Sequence, residues 1–376
     1  MDFALSETQE AVRDLARKIF SDHVRHERLL ELERSGEWFD RELWSAVVQG
    51  GLPAVVIPER CGGSGLGIVE LCLVLEEVGR HVAPVPLFAT ALLGALPVAE
   101  FGTAAQQDRW LRPVVDAGAV LSAALVEVGR SDAAPRTQAR RDGAAWRLEG
   151  VKECVPAGPL AAAILVPART PDGVGVFVVE PGPGVRLERQ VTTSGEPQSR
   201  LTLDGARVAA DAVLGDPASG AAIVRFLAQR ARLGLAAIQL GVAEAALRDT
   251  AAYIAQRKQF GRPIATFQGV ALRAADAWID VEALRAVVLE AAWQAGAGRD
   301  AEAAIGAAKW WAAMAGQRVV HTAQHLHGGI GSDLEYPVHR YFLWSKQNGL
   351  LLGGAAQHAA RLGEWLAGGA ASAESR

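Results

Sequence analysis

The order of textures along the chain constrains its fold more than any single motif does. Residues 1–120 carry apolar residues at three-and-four spacing, in Leu5 to Phe20 and again in Glu70 to Val82, which predicts amphipathic helices. The stretch Pro58 to Gly67 interrupts them as a loop; its Gly63-x-Gly65 lacks the full spacing of a dinucleotide-binding turn. Residues 121–215 change to short runs rich in β-branched residues and separated by turns, such as 161–168, 173–180 and 199–208. From 216 onward the chain is alanine-rich with long helical patterns, at 246–260 and 270–293, broken at Gly261-Arg262-Pro263 and at His327 to Gly331. Helices, then strands, then helices is not the alternation of a doubly wound α/β fold. It predicts an N-terminal helical domain (1–120), a β-barrel or sandwich (121–215), a C-terminal helical bundle (216–366) and a disordered tail (367–376).

With 376 residues, half of them hydrophobic, the chain can bury a sizeable core. A net charge of −4, with arginines dispersed among acids, argues against nucleic acid as a partner, because phosphate binding needs clustered cations. The first residues form neither a cationic leader nor an apolar run, and no long apolar stretch suits a membrane. Cys61, Cys72 and Cys154 are spaced as neither a disulfide framework nor a zinc site. The expectation is a reduced, cytoplasmic protein.

Two segments carry recognisable chemistry. One is Tyr253 to Gln268, with Arg257-x-Gln259-Phe260-Gly261-Arg262-Pro263 at its centre; the other is Gln324 to Gly331, followed by Glu335-Tyr336-Pro337. Singly, these residues have plain structural readings: an arginine near a helix end is usually a dipole partner, and a phenylalanine is usually core. Together, and in this order, they resemble the acyl-CoA dehydrogenases over essentially the whole chain. The resemblance implies that family's fold: an N-terminal α-helical domain, a central β-barrel domain and a C-terminal four-helix bundle. It also implies FAD as cofactor, with one subunit holding the flavin ring and a neighbour contacting the adenosine and pyrophosphate end. The neighbour's contribution maps onto Arg257, Gln259, Phe260, Gln268, Gln324, His325, Gly328 and Gly329. Each is chemically apt: Arg257 is a permanently charged forked donor, Phe260 is an apolar face, and the glycines admit a close backbone approach. His325 departs from the family, which more often has Gln there.

The other half of the implied site has lost its chemistry. α,β-Dehydrogenation of an acyl-CoA needs a carboxylate within reach of the α-proton. The Glu-Gly-Thr that most members carry downstream of Tyr-Pro corresponds here to Leu352-Gly353-Gly354, and the alternative position, immediately before Arg232, is Ala231. Where the family reads Thr-Glu-Pro-x-Ala-Gly-Ser-Asp the chain has Val126 to Asp132, one residue shorter and without the leading hydroxyl. Where it reads Trp-Ile-Thr-Asn the chain has Cys154-Val155-Pro156-Ala157, so the ring-packing Trp and a flavin-facing donor are missing. Gly354 and Ala356 also replace polar residues.

The resemblance therefore implies a non-catalytic, β-type subunit of a heterotetramer, without a catalytic residue of its own and sharing FAD with a catalytic acyl-CoA dehydrogenase partner. The run from His339 to Gln347 and the Leu-Gly-Gly turn resemble subunits acting on steroid side-chain CoA thioesters, with electron-transfer flavoprotein as acceptor. Two alternatives stay open: a self-sufficient homo-oligomeric dehydrogenase with an atypical base, and a flavin-free scaffold. His321, His325 and His327 lack an acidic or Cys partner nearby and are not read as a metal site. Asp333 and Glu335 read as turn-capping, and the ten tryptophans, Trp278, Trp293, Trp310, Trp311 and Trp344 among them, as core or interface packing.

Overall fold

The computed structural model describes residues 4–129, 134–216 and 219–373. Six helices come first: α1 (Glu7–His23), α2 (His26–Ser35), α3 (Arg41–Gln49), α4 (Ile68–Arg80), α5 (Leu96–Phe101) and α6 (Ala104–Ala117). Seven strands follow: β1 (Leu121–Ala123), β2 (Gln138–Asp142), β3 (Ala145–Pro156), β4 (Ala163–Thr170), β5 (Gly173–Val179), β6 (Val185–Gln190) and β7 (Gln198–Val208). Then come α7 (Gly220–Gln256), a hairpin of β8 (Lys258–Gln259) and β9 (Arg262–Pro263), α8 (Gln268–Gly296), α9 (Glu302–His327), α10 (Val338–Leu350) and α11 (Ala355–Ala373). The element type changes where the sequence texture changes, and we retain 120 and 215 as proposed domain boundaries on that ground. The helix α11 runs seven residues past Leu366, where a disordered tail is expected. Alanine is the best helix former, and the two glycines at 368 and 369 are too few to offset the run around them.

The chain divides into two compact units. The first comprises 1–31, 72–83 and 232–376. Its first helix starts with a capping box, in which Ser6 Oγ accepts from Gln9 N and Gln9 Oε1 accepts from Ser6 N. The helices α4 and α7 approach until their backbones touch: a Cβ on Gly79 would lie 1.9 Å from Ile238 O, and one on Gly241 1.9 Å from Glu76 O. Only glycine fits at that crossing. Beside it, buried Arg80 donates to Glu76 at 2.6 Å, to Glu77 at 3.1 Å and to Glu244, while Arg285 reaches Glu244 at 2.5 Å. Charges taken from water this deeply are tolerated because every partner is paired.

The second unit comprises 32–71 and 84–231. Its centre is a seven-stranded sheet in the order β1-β4-β2-β3-β7-β6, with β5 paired antiparallel to β4. One face closes over a core in which Trp146 meets Phe177 edge-on at 5.3 Å, with Leu148, Val166, Val179 and Leu201 around them. Helix α6 opens with a second capping box, from Thr103 and Gln106. Gln106 Nε2 also donates to the Asp211 and Val213 carbonyls, both at 2.7 Å, and so ties the helix to the segment after β7.

Candidate functional site

The segment from Tyr253 to Gln268 folds as a helix end, a two-residue hairpin and a helix start. Strands β8 and β9 pair Lys258 with Pro263 and Gln259 with Arg262. Between them Phe260 (φ 51°) and Gly261 (φ 76°) both occupy the left-handed region, as a type I′ hairpin turn requires. A glycine suits its place in that turn; a phenylalanine does not, and a left-handed non-glycine residue costs about 1–3 kcal/mol. The result is a phenyl ring held at the tip, 92% exposed, 6.1 Å from the Phe267 ring. Arg257, Gln259 and Gln268 are exposed as well. Gln268 is the first residue of α8, whose N-terminus has no side-chain cap, so its amides present positive partial charge.

The turn after α9 lies against the root of this hairpin. Tyr253, one turn before Arg257, stacks on His327 at 4.3 Å and donates from its hydroxyl to His327 O at 3.3 Å; Tyr336 flanks the same imidazole at 5.4 Å. His327 Nδ1 donates to Ala323 O at 2.8 Å, and burial holds its pKa below the usual value, so it is neutral. Gly328 has φ 67° and ψ −143°, a backbone open essentially to glycine alone. A Cβ built on Gly261, Gly328 or Gly329 meets nothing within 4 Å, leaving open space over the backbone.

Of the two neighbouring candidates in this turn, Gln324 spends its amide nitrogen on Gly331 O at 3.2 Å and braces the turn. His325 is exposed and lines a groove of about 900 Å³ between α8 and α9 with Arg273, Asp276, Asp280, Arg318 and His321. Sequence reasoning missed both arginines: Arg318 had only its register with His325, seven residues on in α9, as a signal, and Arg273, on α8, had none. Arg318 grips Asp280 through two bonds, at 2.9 and 2.5 Å. Asp333 Oδ1 accepts from Glu335 N at 2.9 Å, which caps that turn.

The positions implied for ring binding and base catalysis are well built and chemically bare. Leu352 sits left-handed (φ 58°) and half-buried; Ala231 is fully buried. Strand β3 bulges between Lys152 and Val155, placing Cys154 at φ 52° with its amide donating to Gln190 Oε1 at 2.9 Å. Pro156 ends the strand, with its carbonyl accepting from Ser122 Oγ at 2.5 Å. Val126 pairs with Glu153 through one backbone bridge. Of the Val126 to Asp132 segment, Arg130, Ser131 and Asp132 lie outside the described residues.

Glu127 holds the root of that segment. It accepts from Arg136 N at 2.5 Å, Thr137 N at 3.1 Å, Thr137 Oγ1 at 2.7 Å and Lys152 Nζ at 2.7 Å. Burial alone would push its carboxyl up, but Lys152, Thr137 and the amide outweigh it and carry the pKa to about 2. Glu196, which the sequence did not single out, is pushed up to about 7 by burial, with Gln198 Nε2 donating to it at 2.8 Å. Its charge also acts on the Cys154 thiol.

The residues fit one end of FAD and not the other. Exposed forked and amide donors, an aromatic face and bare glycine backbone suit a pyrophosphate and adenosine, whereas Val126, Cys154, Pro156 and Leu352 bring neither flavin-facing donor nor base. Among the described residues, no group of three His, Cys, Asp or Glu side chains gathers for a metal, and no helix is long and apolar enough to cross a membrane.

Residues 6–117 match the acyl-CoA dehydrogenase N-terminal domain and residues 218–367 the acyl-CoA dehydrogenase C-terminal domain. Acyl-CoA dehydrogenase FadE27 of Mycobacterium tuberculosis is 38% identical over 98% of this chain and 99% of its own. A variant of the Tcur3481-Tcur3483 steroid ACAD superposes with TM-score 0.90 at 47% identity, covering 97% of this chain and 99% of that one. A chain of the ChsE4-ChsE5 complex from Mycobacterium tuberculosis does so with TM-score 0.92 at 39% identity, covering 98% and 99%. With family domains at both ends and a relative this similar across the full length, the chain belongs to the acyl-CoA dehydrogenase family.

Proposed function

We propose that this chain is the non-catalytic, β-type subunit of a heteromeric FAD-dependent acyl-CoA dehydrogenase. In this reading Arg257, Gln259, Phe260, Gln268, His325 and the Gly328-Gly329 backbone serve the adenosine and pyrophosphate end of an FAD whose ring a catalytic partner holds, with Gln324 bracing the turn. Bound there, FAD would supply the hydride acceptor for the dehydrogenation, and the proton acceptor would come from the partner. The observation that carries the reading is the contrast between two sets of positions. The donating residues are exposed, with an aromatic ring strained into solvent at the tip of a hairpin, while the implied base position is a leucine. An exposed phenyl ring on a left-handed residue is a cost to the isolated chain that a bound partner and cofactor would offset.

Two of the similar structures bear names of two-component assemblies, one of them a steroid ACAD, which supports a steroid CoA thioester, of the side-chain kind the sequence resemblance implies, as the substrate class. A similar structure named for an electron-transferring flavoprotein supports such a flavoprotein as acceptor. Glu196 favours a second reading, a self-sufficient dehydrogenase. A carboxyl titrating near 7 beside Cys154 has the pKa of a general base, though on a different segment from either family base position.

Flavin content decides between them. Purified alone, the chain should carry little flavin; co-expressed with a base-containing homologue, the complex should carry about one per pair of chains. Near one per chain in the isolated protein, bleached by acyl-CoA in the parent but not in Glu196→Gln, would install the second reading. No flavin in either preparation would make the chain a scaffold.

A further inference from the structure

The turn at Leu352 is held by a device out of proportion to the leucine it carries. Lys309 of α9 is fully buried, and its Nζ donates to Asn348 O at 3.0 Å, Gly349 O at 3.2 Å and Gly353 O at 3.0 Å. In its ammonium form all three hydrogens are used, and the Asn348 and Gly349 carbonyls lie at the C-terminal end of α10, where the helix dipole favours a cation; burial and the Arg232 charge nonetheless pull the Lys309 pKa down to about 7. From α11 the buried His358 sets Nε2 3.2 Å from Leu352 O. A carbonyl only accepts, so Nε2 carries the hydrogen. Burial and the charges of Lys309, Arg232 and Arg361 keep the imidazole neutral. A third contact, Gln357 Oε1 to Gly354 N at 3.2 Å, closes the turn. Within it Leu352 and Gly353 have φ 58° and 109°.

Burying an ammonium is costly, and a left-handed leucine persists only where its surroundings over-determine it. Both costs are incurred around a side chain that neither donates nor accepts a hydrogen bond. Locked backbone of this kind is what a functional side chain needs for a fixed orientation. We infer that residues 350–354 are an intact presentation turn whose functional side chain is absent, with Lys309 and His358 as its positioning residues. The identity of the absent side chain as a carboxylate base rests on the proposed function; the holding device does not. Leu352→Glu would therefore place a carboxylate on a backbone already fixed to present it.

Amide hydrogen exchange across residues 350–358 of the full chain, corrected for intrinsic rates, tests this. Lys309→Met should speed exchange at the turn at least tenfold, and His358→Phe should do so by a smaller factor. Leu352→Gly, which takes the left-handed backbone without strain, should restore most of the protection lost in Lys309→Met. A core substitution elsewhere, Leu284→Ala, controls for general loosening and should not be rescued by Leu352→Gly. Leu352→Glu should keep the protection of the unsubstituted chain. Unchanged exchange in Lys309→Met, absent rescue by Leu352→Gly, or a turn opened by Leu352→Glu would each overturn the inference. The shared-flavin reading would survive any of these, since it is judged by flavin content alone.

Discussion

The hairpin at Phe260 and the strand end at Cys154 are built from the same local irregularity and put to opposite ends. Both hold a non-glycine residue left-handed, at φ 51° and 52°. At the hairpin the strain projects an aromatic ring into solvent beside Arg257 and Gln259, and every neighbour has chemistry to offer. At the strand end the bulge remains, braced by Gln190 and Ser122, but it presents a thiol and a proline. On the proposed function, backbone architecture and side-chain chemistry are separated in this chain. A site can lose its function by a few side-chain changes while packing and hydrogen bonding go on holding its shape, because stability depends on the core and not on the reacting groups.

If the ring side is kept as architecture, its internal bracing should still matter greatly for stability. Lys152→Met removes the cation of a buried pair and leaves the buried Glu127 charge to the Arg136 amide and the Thr137 amide and hydroxyl. We expect a loss of about 3–5 kcal/mol in denaturant unfolding, the largest effect of any substitution considered. A loss below about 1 kcal/mol would show the ring side to be slack and the contrast misplaced. Acid should act on the same pair. Glu127 has a folded pKa of about 2 against 4.5, so its contribution is present above pH 4.5 and is lost as the pH falls from 4.5 toward 2. That contribution is about 3 kcal/mol. Urea unfolding at stepped pH should show this decline, and Glu127→Gln should flatten it.

How much of this was legible in the sequence depends on the length scale of the cause. Helix, strand and helix order could be read because apolar periodicity is local, and the two donating segments because their residues sit close together in the chain. The Phe260-Gly261 turn was half legible: Gly261 marks it, but nothing in the sequence shows a phenylalanine forced left-handed beside it. The division of labour between Gln324 and His325 was hidden, since it depends on whether Gly331 O folds back to accept a bond. Lys309 and His358 were invisible because their acceptors are backbone carbonyls 39 to 44 residues away for one and a strained turn for the other, and a carbonyl has no sequence signature. Glu196 was missed for the same reason, its perturbation coming from burial that only the fold creates.

The donating side should respond through flavin and not through stability. Arg257 is exposed, so Arg257→Ala should leave unfolding within about 0.5 kcal/mol of the parent. If Arg257 serves the pyrophosphate as proposed, the substitution removes charge-assisted bonds worth about 1.5–3 kcal/mol, which is about 10- to 150-fold in flavin affinity of the co-expressed complex. Titrating FAD into the apo complex measures this directly. Val126→Thr, which puts a hydroxyl back on the ring side alone, should leave that affinity unchanged. If Val126→Thr strengthened flavin binding and Arg257→Ala did not weaken it, the chain's own ring side would be the working half.

The smallest effect is also the sharpest, because it should divide stability from function within one residue. Asparagine is favoured at the first central position of a type I′ turn, where Phe260 now stands. Nearly all of the phenyl ring is exposed, so replacing it removes little packing; what remains is the edge contact with Phe267. Phe260→Asn should therefore stabilise the isolated chain by about 0.5–1 kcal/mol, read as a small rise in melting temperature. If the ring is a cofactor contact, the same substitution should lower the FAD affinity of the complex. A gain in stability with affinity intact would mean that the strain at Phe260 serves something other than the flavin, and the hairpin would lose its claim to be the working half of the molecule.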